Sequence, residues 1–450
     1  MKRRQILKSG LLILPANLVR AYAANEKLNL GIIGLAGIGG VNARTFNALG
    51  QNIAALCDVD AKVLEKRSAE YPAAAQYRDF RRMIEREKLD GVIVATPDHT
   101  HAYITVWAMK HGLHVYCQKP LTQTVYEARV VARVAAETKV ITQMGTQTSA
   151  DPSVLRMVEL VQSGALGEIT GIHMATDRPI WPQGHDRPPG EEAVPAHLDW
   201  DLWLGPAAVR PFQAKWPEGH PVYSPERKNQ FRSGPWVYHP LTWRGWTEFG
   251  SGALGDIAPH SMNVIFMALG LGAPAAVEIV ETSGMRNEMY PDRSHLRFEF
   301  AARDGRPPLS IHWYDGNQPL PEHLLPPAPP QPPDAPPLKR GAGGMVWIGT
   351  KGRYPDAEPP NRPPQREWNR EEVHKDWVTA IQTGKQAPCH FGYAGPFTEA
   401  YQLGNVALRA GHRIEWDAKA FRVTNCREAN QYLTREYRKG WDLTEIARGA

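Results

Sequence analysis

The alternation of apolar and polar positions changes character once along this chain, near residue 147. Before that point, short apolar runs at 28–33, 53–57, 91–95, 114–116 and 140–144 alternate with stretches of helical spacing at 41–49, 62–70, 101–111 and 124–138. Continuous apolar runs of this length read as strands buried on both faces. Their alternation with helices predicts a parallel sheet covered on each side. Beyond the change, Asp151 and Pro152 open a helix as cap and first helical residue, and Gly164 closes it. The runs at 168–175, 277–281, 295–300, 309–313 and 345–348 then carry β-branched and aromatic residues with partial alternation and few helices between them. That pattern predicts a largely antiparallel sheet. Residues 371–410 read as helical again, and 416–441 as mixed and charged.

The chemistry of the first half lies at its strand ends. The first strand runs into Gly34, Ala36, Gly37, Ile38 and Gly39, a helix follows, and the second strand ends at Asp58. Strand, glycine turn, helix, strand and acid make a dinucleotide-binding unit. Glycines let the backbone approach a pyrophosphate, and free N–H groups at the helix start stabilise its charge. Asp58 is placed to accept from a ribose diol and to repel a 2′-phosphate, so NAD is expected, with NADP as the alternative. A glycine cluster alone is also what an ordinary tight turn looks like; the surrounding order of elements favours the nucleotide. Ala36 stands where the second glycine of the fingerprint belongs, and its methyl group crowds a pyrophosphate unless the loop bends at Gly37 instead. Further strand ends carry Thr96-Pro97-Asp98-His99, Gln118-Lys119-Pro120 and Gly145-Thr146-Gln147, which should line one crevice.

The stretch 95–128, ATPDHTHAYITVWAMKHGLHVYCQKPLTQTVYEA, resembles the Gfo/Idh/MocA family of NAD(P)-dependent oxidoreductases. The resemblance implies an α/β fold: an N-terminal Rossmann dinucleotide-binding domain (24–148) and a C-terminal α+β substrate domain with a large, mostly antiparallel open sheet (149–450). It implies that Gly34, Ala36, Gly37, Ile38, Gly39, Asp58, Thr96, Pro97, His99, His101, Gln118, Lys119 and Gln147 surround the cofactor, and that Lys119 lies beside nicotinamide and substrate. Gln118 replaces the glutamate usual in the family, which removes one partner for that lysine. His99 and His101 have a spacing open to metal binding, but no ligand set surrounds them in sequence, and no metal is expected.

In the second half, 250–260 reads GSGALGDIAPH. Pro259 is expected in the first turn of a helix, with Asp256 near the cap and His260 one turn on, where a helix start disfavours a charged imidazole. Oxidising an alcohol needs a base for the hydroxyl proton and a hydride acceptor. Lys119, Asp256 and His260 match the family's catalytic positions: Lys119 to polarise the oxygen, Asp256 to orient and His260 as base. Residues 178–250 are rich in Trp, Pro, Arg and His, and segments 199–206 and 239–246 also resemble the family, notably its exported branch. Arg178, Trp181, Arg244 and Trp246 are the candidate substrate contacts. The tryptophans suit either stacking on sugar faces or packing a core of their own.

These readings lead to an oxidoreductase acting on a secondary hydroxyl of a sugar, polyol or glycoside with a tightly bound cofactor. The alternative is a redox-neutral NAD-dependent glycoside hydrolase or lyase, which oxidises, eliminates, adds water and re-reduces. A non-enzymatic sugar-binding protein would sooner have lost Lys119 or His260. The expected partners are a small carbohydrate and further copies of the chain, as a dimer or tetramer.

Charge and composition sharpen the setting. The 450 residues carry a formal charge of +5, which suggests an anionic partner. Lys2, Arg3, Arg4, Lys8 and Arg20 lie in a leader-like segment without acids, and the remaining basic residues equal the 47 acidic ones. Arg3-Arg4, an apolar stretch at 11–14 and Ala21-Tyr22-Ala23 resemble a Tat-type signal peptide over 1–23. The mature protein is therefore expected in the periplasm, exported folded, with no nucleic acid or membrane partner. Four cysteines exclude a disulfide scaffold, and Cys57 and Cys117 read as buried thiols at strand ends, although one pair could still oxidise. The proline-rich stretch 319–337 reads as a surface loop rather than a linker.

Overall fold

A computed structural model describes residues 27–325, 343–356 and 371–448. The leader and most of the proline-rich stretch lie outside them. Six strands form the first sheet: β1 (Asn29–Ile33), β2 (Asn52–Cys57), β3 (Ala75–Tyr77), β4 (Gly91–Val94), β5 (His114–Gln118) and β6 (Thr142–Gly145). The order is β3-β2-β1-β4-β5-β6 and every pairing is parallel. The connecting helices are α1 (Ile38–Ala48), α2 (Ala61–Glu70), α3 (Phe80–Arg86), α4 (Asp98–Lys110) and α5 (Val125–Thr138). This is the doubly wound Rossmann arrangement, and its strand order reverses between β1 and β4. Strands β4, β5 and β6 are buried at every residue, as their unbroken apolar runs require. The edge strand β3 is absent from the sequence reading because three half-exposed residues carry no period.

After α6 (Pro152–Gln162), the chain builds an eight-stranded sheet from β7 (Ile169–Ala175), β8 (Ala276–Thr282), β9 (Ser294–Phe300), β10 (Leu309–Tyr314), β11 (Gly344–Gly349), β12 (Arg353–Tyr354), β13 (Ile414–Asp417) and β14 (Arg422–Val423). Its order is β12-β11-β7-β10-β9-β8-β13-β14, antiparallel except for β7 with β10. One face of it is apolar: Leu296, Phe298, Ile311 and Trp313 pack on the helices α8 (Gly252–Ser261), α9 (Asn263–Leu269) and α11 (Phe391–Ala410), which share a core with α4 and α5. The helix α10 (Glu372–Thr383) lies far past residue 148 but packs against the first sheet. Its Val373 and Trp377 join Leu30, Ile32, Phe46 and Tyr116 in one buried cluster.

Residues 178–250 form a long excursion containing the short helix α7 (Trp200–Leu204) and several 3-10 turns. It is held by its own core of Trp203, Trp216, Trp243, Trp246, Phe212, Tyr238 and Phe249. Among the described residues no helix is long and apolar enough to cross a membrane. All four cysteines are free thiols, and Cys57, Cys117 and Cys389 are buried.

Candidate active site

A cleft of about 840 Å³ opens where the carboxyl ends of the first sheet meet the excursion and α8. The β1–α1 turn forms its floor. Gly34 sits at φ +83°, and a Cβ there would lie 2.6 Å from the Ala95 carbonyl. A Cβ on Gly39 would lie 1.8 Å from the Gly34 carbonyl, so Gly39 serves helix–strand packing rather than the cleft wall. The turn takes its second positive φ, +49°, at Gly37, which caps α1. Ala36 is therefore not required to adopt a glycine conformation, and its methyl group is exposed. The start of α1 has no side-chain cap and no acid in its first turn. A backbone cradle with open N–H groups and no competing carboxylate fits a dinucleotide pyrophosphate.

Asp58 lines the cleft at the end of β2. Its Oδ2 accepts from Leu35 N at 2.7 Å and its Oδ1 from Asp60 N at 2.9 Å. The carboxylate thus fixes the glycine turn, and each oxygen keeps a second lone pair for a ribose hydroxyl. Burial raises its carboxyl above the usual value, although those two backbone N–H groups pull the other way. Thr96, Pro97, Gln118, Lys119 and Gln147 also line the cleft.

His99 and His101 do not line it. His99 lies between the Phe249 carbonyl (3.3 Å) and the Trp203 carbonyl (3.0 Å), and His101 between the Pro120 and Thr96 carbonyls at 2.8 Å each. Burial drives their pKa values down to about 3 and about 4 against the opposing pull of these carbonyls, so both rings are neutral and each braces by donating to one of its two carbonyls. Their place in the family-like motif comes from tying α4 to the excursion and to the Lys119 loop. Among the described residues, no group of three or more His, Cys, Asp or Glu is arranged to hold a metal ion.

Lys119 reaches α8. Its Nζ donates to the Asp256 carbonyl at 2.7 Å and to Asp256 Oδ1 at 2.8 Å, and Arg244 Nε donates to the same Oδ1 at 3.2 Å. Burial opposes ionisation of Asp256, but the Lys119 and Arg244 charges outweigh it and hold the carboxyl well below the usual range. His260 lines the same cleft. Its position differs from the sequence expectation. The helix α8 already begins at Gly252, so Pro259 lies inside it, Asp256 in its middle and His260 in its last turn. The glycine- and serine-rich start hides the helix in the sequence, and Pro259 helps end it: a missing N–H weakens the ladder, and α9 starts three residues after His260. At a helix end, unlike a helix start, the backbone dipole does not disfavour a charged imidazole.

The substrate candidates divide. Arg178, Trp181 and Arg244 line the cleft, and Trp246 does not. Trp246 is fully buried, and its Nε1 donates to the Val237 carbonyl at 2.7 Å. Trp243 takes a wall position instead, with the Arg244 guanidinium 4.3 Å from its ring centre and 5.9 Å from that of Trp181. Asp98, 3% exposed at the first position of α4, also lines the cleft beside the charged cluster. It belongs to the Thr96-Pro97-Asp98-His99 strand end that the sequence places at the crevice, with no role assigned to it there.

The excursion also crosses to the far rim. Ala61 N donates to the His197 carbonyl at 2.8 Å and Asp199 N to the Val59 carbonyl at 3.0 Å, while His239 Nε2 lies 3.1 Å from Asp60 Oδ2. Trp203, His239 and Leu241 of the excursion and the C-terminal Trp441 line the same cleft as Asp58 and Arg78.

Residues 28–146 match the Gfo/Idh/MocA family, described as an oxidoreductase family with an NAD-binding Rossmann fold. An inositol 2-dehydrogenase of Rubrobacter xylanophilus is 30% identical over 150 residues, 32% of this chain and 42% of that protein. A glycosyl hydrolase family 109 protein of Bacteroides fragilis is 32% identical over 164 residues, 34% of this chain and 39% of its own length. These matches span about two fifths of the relatives' length. Among solved structures, GenD2 from gentamicin A biosynthesis, in complex with NAD, aligns with a TM-score of 0.58 at 19% identity over 89% of this chain and 99% of its own. The aldose-aldose oxidoreductase of Caulobacter crescentus aligns at 0.55 and 17% over 87% and 100%. Both describe a shared fold.

Proposed function

With residues 28–146 an NAD-binding Rossmann domain of the Gfo/Idh/MocA oxidoreductase family, we propose that the whole chain is an NAD-dependent oxidoreductase acting on a secondary hydroxyl of a sugar, polyol or glycoside. The observation that carries this reading is the meeting of Lys119, from the end of β5, with Asp256 and His260 of α8 in the cleft that begins at the glycine turn. The first-turn N–H groups of α1 would hold the pyrophosphate, Asp58 the ribose, and Thr96, Pro97 and Gln118 the walls. NAD, when bound there, supplies the hydride acceptor. Lys119 donates a hydrogen bond to the substrate oxygen and stabilises its developing charge. His260 takes the hydroxyl proton, and Asp256 keeps Lys119 and Arg244 oriented. Trp181 and Trp243 offer apolar faces to a sugar ring, with the Arg244 guanidinium between them.

The excursion supports tight retention of the cofactor, because its bonds to Val59, Asp60 and Ala61 bridge the cleft rim. That enclosure and the glycosyl hydrolase relatives favour a second reading with the same residues. In it the chain is a redox-neutral glycoside hydrolase or lyase whose cofactor is regenerated in place. The leader-like residues 1–23 support export of the folded, cofactor-loaded protein to the periplasm.

Denaturing the purified mature protein and weighing what is released tests the first step: NAD is expected, and neither release nor binding of NAD(P) would overturn both readings. Incubation with polyols and glycosides then separates them. A keto product supports net oxidation, and free reducing sugar without net cofactor change supports hydrolysis.

A further inference from the structure

The dinucleotide reading fixes a direction along the cleft. Lys119 follows the end of β5 and Asp58 the end of β2, on opposite sides of the reversal between β1 and β4. A dinucleotide with its reacting ring at Lys119 and its adenosine ribose at Asp58 carries its adenine onward toward β3. The cleft continues there, past Arg78 and Phe80 at the β3–α3 junction and Ile104 of α4. The facing residues come from outside the matched domain: Leu202 of α7 and Trp441 near the C-terminus. Trp441 is packed from behind. Its ring centre lies 4.9 Å from that of Tyr103 and 6.0 Å from that of Phe80, with the Arg81 guanidinium 4.7 Å away. The segment that carries it is tied to α7 and to α4. Arg438 Nε donates to the Gly205 carbonyl at 2.9 Å, its Nη2 donates to the Asp201 carbonyl at 2.7 Å, and its guanidinium pairs with the Asp201 carboxylate. The Tyr103 hydroxyl donates to the Gly440 carbonyl at 3.2 Å. Beyond Trp441, Leu443 and Ala447 of α12 (Leu443–Arg448) enter the core shared by α4 and α5. The segment is therefore a fixed wall and not a loose end.

We propose that the C-terminal segment 438–441 completes the adenine subsite, with Trp441 and Leu202 closing it against Ile104. This rests on the reading of the cleft as a dinucleotide site. The chemistry of the lining suits the base: adenine has two flat apolar faces, and Ile104, Leu202 and Trp441 offer apolar side chains to them. Arg438 is a positioning residue. It does not line the cleft, but it joins α7 to the turn that presents Trp441. The base is thus enclosed by three parts of the chain that are far apart in sequence. It leaves only when one of them moves, so these contacts act on the rate of release.

Two measurements decide it. The full chain is loaded with NAD carrying an azide on its adenine, at C2 or at C8, and irradiated. At least one of the two probes should label the peptide that contains Trp441; labelling by neither overturns the proposal without any substitution. Second, the loaded protein is chased with excess NAD and the loss of bound NADH fluorescence is timed. Release should be about 10-fold faster in Arg438→Ala and in Trp441→Leu, and Trp441→Phe should restore most of the wild-type rate. Wild-type release in both of the first two variants, or no recovery with the aromatic replacement, overturns the role of the segment. A wild-type protein that takes up neither NAD nor the azide probes would instead count against the dinucleotide reading.

Discussion

The first sheet reaches the cleft with strand ends, whereas the 178–250 excursion reaches it with side chains and loop backbone laid across from the other side. Strands β4, β5 and β6 are buried at every residue and all six strands pair in one parallel sheet, so the positions of the glycine turn, Asp58 and Lys119 follow from a lattice of backbone hydrogen bonds. The excursion has little regular structure and is held by aromatic packing: Trp200 and Trp203 stack at 4.6 Å, and Trp203 meets Phe249 edge-on at 4.8 Å. Backbone pairing locates residues that must be placed precisely. Aromatic packing gives a wall that can be shaped to a ligand without disturbing the sheet.

The largest expected effect acts on the joint between these regions. His99 and His101 have folded pKa values of about 3 and about 4, below the roughly 6.5 of an unfolded chain. Between those values the unfolded chain binds protons that the folded chain refuses. Their contribution is therefore complete above about pH 6.5 and is lost as the pH falls toward 4, at roughly 1.4 kcal/mol per pH unit for each ring. Urea midpoints followed across this range should fall on acidification, and less steeply in His101→Gln. A flat wild-type curve would refute the brace assignment.

Trp246→Ala should cost about 3–5 kcal/mol of stability, because it empties the centre of the excursion's core. Trp181→Ala should instead raise KM, since Trp181 lines the cleft and Trp246 does not; an unchanged KM would erase the distinction between core and wall. On the sheet side, Lys119→Met should lower kcat by about 10²-fold to 10³-fold while bound nucleotide is retained. Full turnover would remove the lysine from the chemistry. The smallest effect belongs to the rim. His239→Ala should speed nucleotide release about 10-fold, read from the dissociation rate of NADH by fluorescence, with the melting temperature little changed. An unchanged release rate would show that the contact with Asp60 retains nothing.

Much of the first sheet was legible in the sequence, because fully buried parallel strands give unbroken apolar runs and glycine turns give fixed spacings. Gly34, Asp58, Lys119 and Gln147 all reach the cleft from such strand ends. The failures share a cause. His99, His101 and Trp246 have the residue types of a site but are held against carbonyls in the interior, and only the folded neighbours reveal that. The start of α8 was hidden by weak helix formers, which put His260 at the wrong end of its helix. Asp98 stands in the family-like stretch 95–128, but its near-complete burial at the first position of α4 shows only in the folded chain.

The sequence by itself determined the parallel sheet, the glycine turn and the residue types at the strand ends, because these depend on neighbours close along the chain. The tertiary structure alone decided which of those residues face one another: that Lys119 meets Asp256 across 137 positions, that Trp243 rather than Trp246 forms the wall, and that the excursion closes over Asp60. Such contacts depend on how separate elements pack, and hydrophobic burial, being non-directional, leaves no local pattern by which to read them.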